Sequence, residues 1–589
     1  MASRASRRSA RKAGPVQPAT IRLKAAAPAS RLWTIFLGWL GALAVAAFVY
    51  SPAIEASFVF DDYHLPFTDP NAGAMPARFW IGGPRPLLIA SYWANHLISG
   101  ARPLSYHVVN IMLHSSSAVL VYLILEKVFA ISAAGFLAVR FNVRWMALLG
   151  SAVFLLHPLQ TESVDYIAGR SELLSALFVL AAWLLFLDRF EDKTTPWRAA
   201  AIMLCAAAAV LSKETAVSLA GLFVATDIYF RKESLSARFR KRILLYAPGL
   251  LGLLAAAIVI LRSLATSTTA GFASGSTPFE YALTQCRVIA IYLRLFLFPA
   301  GQNIDWQVPY YHSLRDSQAW LYVLGLALFV ALIAWLYNKA RLLSFGLLVF
   351  LLALAPTSSF IPLQDALAER RMYLPIVGLS IALAGILNFG GGKVRRTSVL
   401  IRILAPALLV ILAVLTYNRS HVWSSGKLLW EDSIAKNPRN VRAIANLGGV
   451  FMLNHDCAGA AREYRKIVDM QGVDELNGRN LGSAYECSQQ QDLALSVYRR
   501  LVAAHPTADV YVRIGFLEGV RNNVDASLGA FEKALQLDPN NAQAYAFRGV
   551  ARLALHDVPD ATEDFRHALA IDPGNAVAAT WMAKLPGGR

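Results

Sequence analysis

A chain of 589 residues that is 56% hydrophobic and only 16% charged, with a mean hydropathy of +0.44, is too apolar for a water-soluble globular protein and reads as a membrane protein. Its formal net charge of +18 raises a nucleic-acid partner, but the basic residues stand in short blocks between apolar runs and not along aromatic-lined surfaces, so no nucleic acid is expected. The first 31 residues carry Arg4, Arg7, Arg8, Arg11, Lys12, Arg22, Lys24 and Arg31 and no acid, which predicts a disordered tail kept on the cytoplasmic side. The run that follows, 32–52, is of full spanning length and lacks a small-residue cleavage site, so it is expected to remain as a span and not to be cleaved as a signal peptide.

Just beyond that run the motif FDDYH sets Asp61 and Asp62 side by side. A carboxylate at a membrane face can act as general base on a substrate partly held in lipid; the plainer reading is a pair of solvated loop aspartates. Further spans are predicted at about 105–130, 145–160, 172–188, 197–212, 215–230, 242–264, 318–338, 341–357, 371–390 and 398–417, several of them shorter than the roughly 20 residues a straight crossing needs. Segment 279–299 carries Arg287 and Arg294 seven apart, hence on one helical face, and is assigned to the membrane surface. Eleven spans with the N-terminus inside then place the basic loops 231–242, 338–341 and 391–396 in the cytoplasm. The same count puts FDDYH, HPLQTESVDYIAGRSE, SKET and LQDALAERRMYLP together on the extracytoplasmic face.

Several polar residues on those segments are candidates for chemistry. His157, Glu162, Asp165, Arg170 and Glu172 crowd the ends of the third and fourth spans, as a site or as helix-end charges facing water. Lys213 and Glu214 fall in a connection short enough to hold them near the bilayer surface, to bind a phosphate or to pair with each other. His107, Asn110 and His114 share one face of the second span, and an interhelical hydrogen-bond network explains them better than a metal site, since no third ligand stands at ligand spacing. Glu369, Arg370 and Arg371 precede the tenth span, where a guanidinium can grip phosphate bidentately.

After Tyr417 the composition changes and a period of 33 to 34 residues begins, with Gly448, Gly482, Gly515 and Gly549, aromatics at Tyr464, Tyr498, Phe531 and Phe565, and Pro506, Pro539 and Pro573 closing units. This is the tetratricopeptide pattern, which predicts a superhelix with a groove for an extended partner: a binding module, not a catalytic one. The stretch 428–438 supplies an earlier second helix and 576–585 a cap. The expected division is a basic tail (1–31), a membrane domain (32–417) and the repeats (418–589). Of four cysteines, Cys205 and Cys286 lie in or at the membrane; Cys457 begins one repeat helix and Cys487 ends another on the same edge, as a bridge or as two free thiols.

The ordered set FDDYH, GPRPLLIASYWANH, YHVVNIMLH, HPLQTESVDYIAGRSELL, LSKET, ALAERRMYLP and VWSSGKLLWEDSIAKNP, followed by repeats, resembles the transmembrane and tetratricopeptide-repeat O-mannosyltransferase family. The resemblance implies a membrane domain of the GT-C glycosyltransferase type; with the span count and the repeat period, the expected fold is all-α, a polytopic bundle of about 11 spans followed by the repeat superhelix. The resemblance also implies a polyprenyl-phosphate sugar donor, with the catalytic base at Asp61 or Asp62. His64, Arg85, His157, Glu162, Arg170, Lys213, Glu214, Glu369 and Arg370 become the substrate-binding candidates. The reaction expected is inverting transfer of a hexose, mannose by resemblance, to Ser or Thr of an acceptor protein or peptide held in the repeat groove, on the extracytoplasmic face. No redox cofactor is expected; a divalent metal is compatible with the chemistry but not required, because fixed cations can hold the leaving phosphate. Two other classes stay open: a lipid-linked-sugar enzyme with a glycan or lipid acceptor, and a non-catalytic membrane scaffold. High alanine content and short loops point to a bacterial inner membrane; in a eukaryote the same topology would face the lumen of the endoplasmic reticulum.

Overall fold

The computed structural model describes residues 28–69, 71–80, 83, 85–135, 142–250, 276–390 and 395–585, and among them the regular elements are helices, with no strand. The membrane part contains α1 (Pro28–Val49), α2 (Pro86–Ser99), α3 (Pro103–Gly135), α4 (Val143–Leu156), α5 (Arg170–Leu187) and α6 (Pro196–Ser212). It continues with α7 (Ser218–Phe230), α8 (Pro278–Leu297), α9 (Ala319–Lys339), α10 (Arg341–Leu354), α11 (Pro375–Gly390) and α12 (Arg395–Val422). Helices stand at ten of the eleven expected runs and at the described start of the eleventh, 243–250; residues 251–264 of that run, 1–27 of the tail and 391–394 of the basic loop lie outside the described residues.

Among the described residues five stretches, Arg31–Val49, Pro103–Ala133, Ile167–Leu187, Ala319–Lys339 and Ile403–Val422, are long and apolar enough to cross a bilayer. The expected count of about eleven is not reached by helix length alone. α4 and α10 have 14 residues each, about 21 Å at 1.5 Å per residue against a hydrocarbon core of roughly 30 Å. Pro158 is the reason in α4: the residue before a proline is driven out of the helical region, and His157 duly sits at φ −78°, ψ 130°. The chain then continues through short turns into α5, so the polar 157–169 segment is built into the bundle and not looped away from it.

Two contacts hold the polar face in place. α10 and α11 meet backbone to backbone: a Cβ on Gly346 would fall 2.4 Å from Ala382 N, and one on Gly378 2.4 Å from Phe350 N. That pair anchors the 355–374 connection carrying Glu369–Arg371. α8, entered by a capping box between Thr277 and Glu280, lays its buried face along the same connection, with Tyr281 OH donating to Thr357 O (2.7 Å), Gln285 to Ala366 O (2.9 Å) and Tyr292 to Ala368 O (2.8 Å).

The repeats form α13 (Gly426–Lys436), α14 (Val441–Leu453), α15 (Cys457–Gln471), α16 (Glu475–Cys487), α17 (Gln491–Ala504) and α18 (Ala508–Val520). They end with α19 (Val524–Leu537), α20 (Ala542–Ala554), α21 (Val558–Ile571) and α22 (Ala576–Met582). Asn440, Asp474, Asn541 and Asn575 cap α14, α16, α20 and α22 through side-chain oxygens. The periodic glycines admit the aromatic ring of the next helix: a Cβ on Gly482 would lie 2.2 Å from the Tyr498 ring, and Gly448, Gly515 and Gly549 meet Tyr464, Phe531 and Phe565 in the same way. Cys457 and Cys487 are joined in a disulfide with Cα atoms 5.6 Å apart, which decides between the two readings of that pair.

The array is packed onto the membrane part. One buried cluster combines Ala53, Ala56 and Val59 of the first loop with Tyr166, Trp423, Leu429, Trp430 and Leu447.

Candidate active site

FDDYH folds as a 3-10 turn, Phe60–His64, and its two aspartates part company at once. Asp62 is 1% exposed and spends both oxygens on the backbone, accepting from Val59 N (3.1 Å) and Ala168 N (2.8 Å). Burial pushes its carboxyl up to about 7 in spite of those two N–H groups. Asp61 remains partly exposed; its N–H donates to Tyr166 OH (2.8 Å), whose hydroxyl also bonds the Asp61 side chain. Of the pair, Asp61 is the one that remains open to solvent. His64 is exposed on the same turn.

Beside Asp61 stands Arg370. Its guanidinium bonds Glu162 Oε1 and its backbone N–H donates to Glu162 Oε2 (3.0 Å), with the arginine side chain 21% exposed and the glutamate 2%. Glu162 is thus the buried anchor and Arg370 the cation with a free edge. A second charged group lies along α2, α5 and the α6–α7 turn, where Arg85 holds Glu214 bidentately (3.0 and 2.7 Å). Lys213 donates to Glu172 (2.5 Å), so Lys213 and Glu214 do not pair with each other as one reading had it. Glu172 and Thr215 border a small cavity closed by Thr357 and Arg371.

Three residues expected to touch substrate lie inside the scaffold. Arg170 is 0% exposed; it donates to Asn110 Oδ1 (2.9 Å), Asn95 Oδ1 (2.9 Å) and Tyr106 O (3.1 Å), with its guanidinium 4.6 Å over the Tyr92 ring. Glu369, 1% exposed, accepts from Gln302 Nε2 (2.7 Å), Asn303 N (2.6 Å) and Trp306 Nε1 (2.9 Å). His157 accepts from Leu159 N at Nδ1 (3.2 Å), faces Phe296 O from Nε2 (3.0 Å) and stacks on the Phe296 ring. In each case burial requires the polar groups to be satisfied internally, and as placed here these residues brace the scaffold. The face of α3 behaves likewise: His107 meets Ala56 O, Asn110 donates to Val164 O and Tyr166 O, and His114 bridges Tyr373 OH and Leu155 O.

The structure adds residues the sequence reading did not single out. Tyr166 orients Asp61, and Arg442 of α14 reaches across to Asp305, bidentately, and to Asp365 (2.8 Å). Tyr166 lies inside a quoted motif; Arg442 carries no local signal, since its partners are 77 and 137 residues away. Among the described residues no cluster of His, Cys, Asp and Glu has metal-ligand geometry.

Fold and site together define an all-helical membrane protein with a tetratricopeptide array docked against an acidic–basic site. Compared with known proteins, the chain matches no family model. It is 23% identical to protein O-mannosyl-transferase TMTC3 of Homo sapiens over 551 residues, covering 84% of this chain and 58% of that protein. With protein O-mannosyl-transferase TMTC4 of Mus musculus it shares 26% identity over 432 residues, 65% of this chain and 57% of that one. A shorter match of 32% over 197 residues is to protein O-mannosyl-transferase Tmtc1 of Drosophila melanogaster, 31% of this chain and 21% of the relative. The chain spans about three fifths of the length of the first two relatives. Similar solved structures include MamA (22% identity, 26% of this chain and 88% of that one, TM-score 0.25). YrrB, a TPR protein, is 20% identical over 31% of this chain and 90% of its own, with a TM-score of 0.25.

Proposed function

We propose that this protein transfers mannose from a polyprenyl-phosphate carrier to Ser or Thr hydroxyls of proteins on the extracytoplasmic side of a membrane, the bacterial inner membrane by composition. The observation that carries the reading is the Asp61 carboxylate, partly exposed and buttressed by Tyr166 beside Arg370, in a chain similar over most of its length to O-mannosyl-transferases.

Asp61 takes the proton of the acceptor hydroxyl as its oxygen attacks the anomeric carbon. The bond from that carbon to the carrier phosphate breaks with its electron pair on the phosphate oxygen, and the anomeric centre inverts. The free edge of Arg370 offsets the charge that develops, with Arg85 and Lys213 as the second cationic group along the donor's path and His64 at the rim. Residues 32–417 supply this GT-C-type chemistry through about eleven membrane passages, 418–589 hold the acceptor, and 1–31 stay cytoplasmic.

The test is transfer by the purified full chain from a short polyprenyl-phosphate mannose to peptides, read by glycopeptide mass spectrometry. Hexose on Ser or Thr is expected, and D61N should lower turnover by about a hundredfold or more. Wild-type turnover in D61N removes Asp61 as base. Sugar found only on a glycan or lipid acceptor replaces the protein-acceptor reading.

A further inference from the structure

Phe60, the residue before Asp61, sits at φ +50°, in the left-handed region that a bulky side chain rarely adopts. Such a conformation persists only where the surroundings impose it, and the Phe60 ring meets the helices that begin the repeat module. The Phe60 ring meets Trp430 of α13 edge-on at 5.6 Å, and the Arg442 guanidinium of α14 lies 5.9 Å from its centroid. Neither partner is loose: Trp430 is 2% exposed, and Arg442 is fastened to Asp305 and Asp365. On the other side Tyr166, its ring tilted against Trp423 at 5.7 Å, receives the Asp61 N–H, and Asp62 is bonded to Val59 and Ala168. The turn is therefore pinned on both flanks.

We propose that α13 and α14 clamp the catalytic turn: Trp430 and Arg442 hold Phe60 in its left-handed conformation and thereby aim the Asp61 carboxylate, which makes Phe60, Trp430 and Arg442 positioning residues. The catalytic half of this inference rests on the function proposed above; the conformational half does not. It gives the array a role beyond holding an acceptor. The helices that begin the repeat module also set the geometry of the base, so a displacement of α13 and α14 is felt at Asp61.

The test uses the full chain with W430A, W430F, R442K and the double variant W430A/F60G. Hydrogen exchange is followed in the peptide covering residues 57–66, alongside turnover and the KM for polyprenyl-phosphate mannose. In W430A the amides of Asp61 and Asp62 should exchange about tenfold faster or more, with turnover lowered about tenfold or more and donor KM within about twofold, since misplacing a base costs rate and not binding. W430F keeps the edge contact and should keep the protection. Glycine takes positive φ without a clamp, so F60G should return part of the turnover lost in W430A. Wild-type exchange at 57–66 in both W430A and R442K overturns the clamp whatever the activity. A wild-type protein that transfers no sugar overturns the proposed function and leaves exchange to decide the clamp. If W430A does not fold, R442K against W430F decides it: equal, wild-type-like protection in the two overturns the proposal.

Discussion

Asp62 gives each of its oxygens to a backbone N–H, and in a buried turn the loss of one acceptor costs about 1–3 kcal/mol. D62N turns one acceptor into a donor facing an N–H, so it should lower the melting temperature by several degrees. D61N should leave the melting temperature within about a degree while lowering turnover about a hundredfold or more, because Asp61 accepts no such backbone pair. Differential scanning fluorimetry beside the transfer assay separates the two, and matched melting losses would mean that both aspartates are structural. A pH dependence follows with a definite sign. The folded Asp62 carboxyl is pushed up to about 7, above its ordinary value of 3.8, so the folded state holds a proton that the unfolded state releases. Its contribution to stability is full below about pH 4 and is lost as pH rises through 7. The melting temperature should therefore fall between pH 5 and 8 by more in the wild type than in D62N, and equal slopes would contradict the assignment. That this turn mattered was legible in FDDYH; which aspartate stays accessible was not, because it depends on Ala168, 106 residues away. Arg170 shows the same limit. Its dense polar neighbourhood reads as a site, and only the approach of Asn95 and Asn110 reveals a buried brace.

Gly346 and Gly378 fix how closely α10 and α11 approach, and a methyl at either would enter the partner's backbone, which cannot yield as a side-chain tip can. Overpacking of this kind costs about 1–3 kcal/mol, and here it would also shift the 355–374 connection that carries Arg370. G378A should therefore lower both the melting temperature and turnover. G38A, in α1 with nothing within 4 Å of the added Cβ, should change neither, and equal behaviour of the two would show that α10 and α11 tolerate separation. Helix placement was readable from apolar runs, and the repeats from their period, because both depend on local pattern. The contact between α10 and α11 was not, since single glycines on two helices form no motif until the helices are brought together. Nor was α2, whose 14 residues fell between recognised spans and whose Asn95 and Tyr92 now support Arg170.

At the scale of the molecule, the first loop and Tyr166 pack against the start of the array in one buried cluster, and Pro158 breaks one expected span into pieces too short to cross alone; the side of the membrane on which this cluster lies is a matter for experiment. The disulfide between Cys457 and Cys487 tests which side that is. It joins the start of α15 to the end of α16 across a sequence separation of 30, and in the chain-entropy model such a closure contributes about 3 to 4 kcal/mol, a large share of a small array's stability. C457S, or reduction of the native protein, should lower the array's unfolding transition by several degrees, while the membrane part, held by contacts that include no cysteine pair, changes little. Circular dichroism melts of the full chain with and without reductant would show this, and superimposable curves would mean that the bridge adds no stability. The bond also reports its compartment, because structural disulfides persist where glutathione and thioredoxin do not reduce them. Non-reducing peptide mapping of protein alkylated in intact cells should recover the Cys457–Cys487 pair. Two alkylated thiols would place the repeats in a reducing compartment, and since Trp430 and Arg442 tie the repeats to the Asp61 turn, the proposed extracytoplasmic chemistry would have to move with them.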